Sequence, residues 1–180
     1  RAERDVRSEF RVGVRVGGEM RRRPRDCGMD FSLDDDHLAI AGAVDQVCAD
    51  FDDTYWAERD QRHEFPWAFY AAMAEGGWLG VAIPEEYGGG GRGITECAIV
   101  LNRVAASGAA MNGSSALHLT MFGLNPVVKF GNDRLKETFL PRAAVGDLHI
   151  AFGVTEPDTG TDKSRIRTRA THDGNGALIV

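Results

Sequence analysis

From Ser32 to about Ala144 the apolar residues recur three and four positions apart; from Leu148 onward they alternate with polar ones or run together. A period near 3.6 gives a helix one apolar face, and a period of two does the same for a strand. The change of period divides the chain into a helical part followed by the opening of a β domain. No other feature limits the possible folds as much.

The pattern predicts five helices. Ser32 with Asp35 three residues on resembles a capping box, and Asp34, Asp35 and Asp36 sit at the positive end of the helix dipole. Leu38, Ala41, Val44, Val47, Cys48 and Phe51 then share a face, so the first helix runs to about Phe51. "DDTYWAERDQRHEF" comes next as a polar stretch. Pro66 suits a first helical turn, Trp67, Tyr70, Ala71, Ala74 and Trp78 repeat at three and four, and Gly76 and Gly77 close that helix. A third helix covers Ile94 to about Ala106, with Cys97, Val100, Leu101 and Val104 inward. A fourth begins near Asn112 and carries Ala116, Leu119, Met121, Phe122, Val127 and Val128, kinked or divided at Pro126. Gly131 ends it, and Asn132 caps a fifth, "DRLKETFLPRAAVG", which buries Leu135, Phe139 and Leu140.

"LHIAFGVTEP" then reads as a buried strand ending in a bend. "SRIRTRATHDGNGALIV" places Ile166, Thr168 and Ala170 on one face and Arg165, Arg167 and Arg169 on the other, with "DGNG" turning the chain into "ALIV". So short a sheet makes a poor domain by itself. The expected architecture is α+β: an orthogonal bundle of about five helices followed by the first strands of a truncated β domain. The expected divisions are an extension over 1–28, a helical domain over 29–148 and an incomplete β domain over 149–180.

The extension differs in texture. Residues 1–29 hold nine arginines against five acids, whereas the whole chain carries a net charge of −6. "MDFSLDDDHLAIAG" reads as a natural beginning, so Met29 is expected to be the initiator and residues 1–28 upstream sequence without fixed structure. The acidic body argues against nucleic acid as a partner, since phosphate binding needs clustered Lys and Arg. The apolar runs are too short to span a membrane. Cys27, Cys48 and Cys97 are scattered and odd in number, and the five histidines form no metal-ligand spacing. No metal site is expected, and a reducing, cytoplasmic compartment fits (the mitochondrial matrix in a eukaryote).

Two glycine-containing stretches compete as the functional site. In "EEYGGGGRGITECAIVLNRV", Gly88, Gly90 and Gly93 satisfy G-x-G-x-x-G ahead of a helix. A dinucleotide fingerprint also needs a strand before the glycines and an acid about 20 residues on. Pro84 interrupts the only candidate strand, and no Asp or Glu lies between Glu96 and Asp133. No Gly-Lys-Ser/Thr is present to make a P-loop. The loop therefore reads as a close-packed turn between helices.

"IAFGVTEPDTGTD", residues 150–162, is the stronger candidate. It delivers an apolar wall, Phe152 to Val154, and then Thr155, Pro157, Asp158, Gly160, Thr161 and Asp162 in a polar loop. An apolar face rimmed by hydrogen-bonding groups suits a flat heteroaromatic ring; an ordinary Asx/Gly turn after a strand is the plainer alternative.

"FGVTEPDTGTD", "GGWLGVAIPEEYGGGG" and "NPVVKFGNDRLKETFLPRAAVGDLHIAF" together resemble the acyl-CoA dehydrogenases, over about residues 30–180. The resemblance implies a helical N-terminal domain, a middle β domain and a C-terminal four-helix bundle. It implies FAD as cofactor and acyl-CoA thioesters as substrates, oxidised to trans-2-enoyl-CoA. It implies a homotetramer or homodimer, with electron-transfer flavoprotein as acceptor. Phe152, Val154 and Thr155 would contact the isoalloxazine, Gly160 and Thr161 would approach cofactor, and Thr161 the CoA portion. Thr159 and Thr161 stand where the family usually has Ala and Ser. Leu119 and Gly123 would border the acyl pocket. The family's catalytic glutamate belongs to the C-terminal bundle, so no residue here is assigned as catalytic, and Glu156 is not a substitute. The fragment by itself is expected neither to hold FAD firmly nor to turn over substrate. A related acyl-CoA oxidase or flavin monooxygenase, or a non-catalytic helical interaction module, remains the alternative.

Overall fold

Asp34, Asp52 and Asn132 each accept a hydrogen bond from the backbone N–H three residues on, at 2.8, 2.9 and 2.9 Å, and each starts a helix. The computed structural model describes residues 32–172, 174 and the backbone of 178–179. The expected extension over 1–28 and the start at Met29 lie outside the described residues.

Seven α-helices succeed one another along the described residues: α1 (Asp35–Ala49), α2 (Asp53–Arg62), α3 (Trp67–Glu75), α4 (Ile94–Val104), α5 (Ala110–Gly123), α6 (Asn125–Phe130) and α7 (Asp133–Ala144). An antiparallel pair, β1 (Thr171–His172) and β2 (Leu178–Ile179), closes the order, with Thr171 opposite Ile179 and His172 opposite Leu178. The chain is thus α+β, a helical bundle followed by the opening of a sheet.

Several expectations need correcting. Asp34, rather than Ser32, makes the N-cap of α1. The "polar stretch" after Phe51 is helix α2. Its apolar signal is confined to Tyr55 and Trp56, yet Trp56 is buried and donates its indole N–H to the Phe51 carbonyl at 3.1 Å. Leu38, Trp67 and Leu135 are exposed. In α3 the buried residues are Phe69, Tyr70 and Met73. Nearly every α3 position is apolar, so the pattern did not determine which face would turn inward. Pro126 does separate α5 from α6, at the first positions where a missing N–H costs nothing.

The main core joins α1, α3, α4 and α5 around the fully buried Val44, Phe69, Met73, Val100, Val104 and Leu117. Phe51, Tyr55, Trp56 and Phe69 add edge-to-face ring contacts at 4.9 to 5.3 Å. A second cluster gathers Ile83, Leu124, Leu140, Ala143 and Ala144, with Leu148 and Ile150 packed against it. Helix α4 runs into α5 through a wider π turn, Ala105–Ala109, in which Gly108 has φ 93°. The next residue after this turn, Ala110, is held at φ 45°, ψ −134°, a conformation that strains any residue with a β carbon.

Polar ties fix α1 against α4. Arg103 donates to both carboxylate oxygens of Asp45 at 2.8 and 2.7 Å. At the other end of α4, Glu96 accepts from the Gly93 N–H at 2.8 Å and approaches His37 Nε2 at 3.4 Å. Backbone N–H donors, its own and that of Gly93, hold the Glu96 carboxyl below the usual range, and His37 adds to this.

These contacts make stability testable at two positions. Glu96→Gln is expected to cost about 1 kcal/mol near neutral pH. A depressed carboxyl pKa contributes stability above the ordinary glutamate range and loses it as pH falls through the folded value. Urea midpoints of the two proteins should therefore differ near about pH 7 and draw together as pH falls below the ordinary glutamate range and through the folded value. Ala110→Gly is expected to stabilise by about 1 kcal/mol, because the relieved strain exceeds glycine's added backbone entropy. A lower melting temperature in the variant would contradict the strain at this position.

Candidate functional site

The glycine-rich loop spends its amides on the protein itself. Gly90 N–H donates to the Gly80 carbonyl, Gly91 to Ile83 and Arg92 to Val81, at 2.9, 2.8 and 2.9 Å. A β carbon at Gly89 would lie 2.1 Å from the Ile83 carbonyl oxygen, so glycine is required there for backbone contact. A phosphate cradle needs free N–H groups converging on open space. These amides are already paired, and the loop is a structural connection.

The second candidate has the opposite character. Among the described residues, positions 148–155 make no backbone-to-backbone hydrogen bond. The expected buried strand is therefore corrected: no described strand pairs with this run, and Ala151, Phe152, Gly153 and Thr155 are exposed while Ile150 and Val154 are half-buried. The run is shaped by the turns on its C-terminal side. Glu156 and Thr159 exchange two backbone bonds at 3.1 Å, closing a four-residue turn around Pro157 and Asp158. Thr159 is 4 % exposed and donates its hydroxyl to the Arg165 carbonyl at 3.2 Å. Asp162 accepts from Ser164 N–H at 3.2 Å and starts a short 3-10 turn, Lys163–Arg165.

Glu156 binds this assembly together. Its carboxylate accepts from Arg167 N–H, from Thr168 N–H at 2.7 Å and from the Thr168 hydroxyl. The Thr168 side chain first, and then the two backbone N–H groups, hold its carboxyl below the usual range. Residues 165–170, expected to alternate in a strand, are instead exposed on both faces, with Glu156 holding Arg167 and Thr168 and Thr159 holding the Arg165 carbonyl.

Thr155 remains outside the clasp. Its side chain is exposed, and Lys163 Nζ donates to its Oγ1 at 3.0 Å. Gly160 and Thr161 are exposed too, and a β carbon at Gly153 or Gly160 would meet nothing within 4 Å. Phe152, half exposed, meets the Phe122 ring edge-on at 5.1 Å. His118 stacks on Phe122 at 4.4 Å. Leu119 is exposed on the same helix. A β carbon at Gly123 would lie 2.7 Å from Ile150 Cγ2. The structure therefore brings α5 residues Phe122 and Gly123 beside Phe152 and Ile150, with Leu119 one turn earlier on the same helix.

Sequence reasoning missed His118 and Lys163 as neighbours of this site, and gave Phe122 only as one of the apolar residues of the fourth helix. The only available signal for His118 was its spacing four residues before Phe122, which puts the two rings on one helix face. Lys163 gave no signal, because a turn must close before it can reach Thr155.

The chain matches the family model described as acyl-CoA dehydrogenase, N-terminal domain, over residues 34–147. The chain belongs to the acyl-CoA dehydrogenase family. The acyl-CoA dehydrogenase fadE12 of Mycobacterium tuberculosis (strain CDC 1551 / Oshkosh) is 36% identical over 152 residues, which is 83% of this chain and 38% of that protein. A solved structure of the electron transferring flavoprotein of Acidaminococcus fermentans superposes with a TM-score of 0.69 at 30% identity, covering 81% of this chain and 38% of that one. The ChsE4-ChsE5 complex of Mycobacterium tuberculosis gives a TM-score of 0.63 at 31% identity, covering 81% and 37%. The chain thus spans less than two fifths of the length of these relatives. Among its described residues no helix is long and apolar enough to cross a membrane.

The Gly123 crossing can be tested directly. Gly123→Ala gains helix propensity of about 1 kcal/mol, but overpacking against a stiff, β-branched side chain costs about 1–3 kcal/mol. A net loss of stability is expected in the parent chain. In an Ile150→Ala background the same change should become neutral or stabilising, and equal effects in both backgrounds would show that the two residues do not meet.

Proposed function

We propose that the protein carrying this chain is an FAD-dependent oxidoreductase acting on acyl-CoA thioesters. The observation that carries this is Thr155, exposed within the family's "TEP" turn three residues after the half-exposed Phe152. The residues present fit a flat ring. Phe152 and Val154 supply apolar surface, Thr155 and Thr161 supply hydroxyls, and the space over Gly153 and Gly160 is open. When bound, FAD supplies the acceptor for the hydride that leaves the acyl β carbon.

This chain's own residues would do four things. Phe152 and Val154 would hold one side of the ring. Thr155 would hydrogen-bond its reactive edge. Gly160 and Thr161 would let cofactor and the CoA portion approach closely. Leu119 and Gly123, with Phe122 between them on α5, would border the acyl group. The base that removes the α proton would come from the part of the family's length that this chain does not span. Glu156 is unsuited to that role, because its carboxylate is already occupied by three donors from residues 167 and 168. Electron-transfer flavoprotein would be the acceptor, and the whole protein a homotetramer or homodimer. Residues 1–180 alone would purify without bound flavin.

The full gene product should purify yellow, and a ladder of acyl-CoAs under anaerobic conditions should bleach the flavin band for at least one chain length. Thr155→Val should slow that bleaching roughly tenfold, the worth of one lost hydrogen bond at the reacting edge. A colourless protein that takes up no FAD, or a flavoprotein that no acyl-CoA reduces, would overturn the proposal. Rapid reoxidation by oxygen would move it from dehydrogenase to oxidase.

A further inference from the structure

We infer that Lys163 is a positioning residue for the Thr155 hydroxyl, turning it into a donor aimed at the open wall. The inference rests on the flavin reading above and deepens it. Lys163 Nζ lies 3.0 Å from Thr155 Oγ1. An ammonium carries three donors and no lone pair, so in this pair the threonine oxygen can only accept. The hydroxyl proton must then point away from Lys163. With no lysine there, the same rotor is free to present either its proton or a lone pair.

A second consequence is electronic. Accepting from a cation polarises the O–H bond, and a charge-assisted contact is stronger than a neutral one. Both residues are exposed, so in water the pair adds little to stability. Once a ring covers the wall and excludes water, the same pair strengthens.

The fold holds the two residues in register although they stand eight positions apart in the chain. The paired Glu156 and Thr159 backbones close the first turn, the Asp162 carboxylate starts the Lys163–Arg165 turn, and the buried Thr159 hydroxyl pins the Arg165 carbonyl. Lys163 is therefore returned to Thr155 by bonds that do not involve either side chain. A Met or Arg at 163 leaves all of them intact.

The test uses two kinds of readout. Independently of any flavin, three-bond couplings should show the Thr155 χ1 populations of the parent kept in Lys163→Arg and shifted toward rotamer averaging in Lys163→Met. Unchanged couplings in Lys163→Met overturn the inference. The full gene product, freed of cofactor, is then titrated with FAD and with riboflavin, which has the ring but no phosphate. Lys163→Met is expected to weaken both by roughly tenfold, and Lys163→Arg by much less. In a Thr155→Val background Lys163→Met should add no further loss. An equal loss with and without the Thr155 hydroxyl overturns the inference, since the charge would then act directly. A loss confined to FAD overturns it in favour of a phosphate contact. Failure of the unmutated protein to bind either flavin overturns the flavin reading itself, and the rotamer measurement then decides the positioning role alone.

Discussion

The site depends on one close crossing: Ile150 passes over α5 at Gly123 with no room for a β carbon between them. On one side of that crossing, the second apolar cluster anchors the chain through Leu140, Ala143 and Ala144. On the other, α5 is held in phase by the buried Ala116, Leu117, Thr120 and Met121. Those two constraints leave His118, Leu119 and Phe122 on the opposite face, where Phe152 arrives. A β carbon at 123 would force the Ile150 side chain to shift. A similar approach occurs at the end of α7, where a β carbon at Gly80 would lie 2.9 Å from Ala144 Cβ. Small residues thus set the spacing at both ends of the path into the site.

The two glycine-bearing stretches show how little a spacing motif says without its hydrogen bonds. Gly88, Gly90 and Gly93 match a phosphate-binding pattern, yet the N–H groups of Gly90, Gly91 and Arg92 all bond to carbonyls of residues 80–83. The "TEPDTGTD" turn matches no general pattern of that kind. Its backbone bonds are internal to the turn, and they leave Thr155 and Thr161 facing outward. Availability of the polar groups, more than the order of residue types, separates a connection from a candidate site.

That difference also explains what was legible in the sequence. The helix starts at Asp133 and Trp67, the break at Pro126 and the change from helix to sheet all obey local rules of capping, proline geometry and period. The candidate residues Phe152, Val154, Thr155, Gly160 and Thr161 were legible through the family resemblance they carry. Helix α2 escaped because one buried tryptophan on an otherwise charged helix leaves no stripe. Trp67 was assigned inward because α3 is apolar almost all round; its ring instead packs at the surface against Phe65 and His149, at 4.6 and 5.0 Å. Lys163 beside Thr155, and Ile150 over Gly123, are products of tertiary closure. No periodicity encodes them.

Glu156 and Thr155 are neighbours with opposite fates, and the contrast argues for their roles. The glutamate turns toward the chain and takes donors from Arg167 and Thr168, which holds its carboxyl ionised below the usual range. A carboxylate so occupied is a poor proton acceptor, since any proton it took would displace bonds that fix residues 165–168. The threonine turns outward and meets a lysine ammonium. One side chain therefore uses up its hydrogen-bonding capacity to hold the turn, and this rigidity lets the next keep a single proton free. A site that must orient a hydroxyl without consuming it needs both halves, because a loose turn would let Lys163 and Thr155 drift apart.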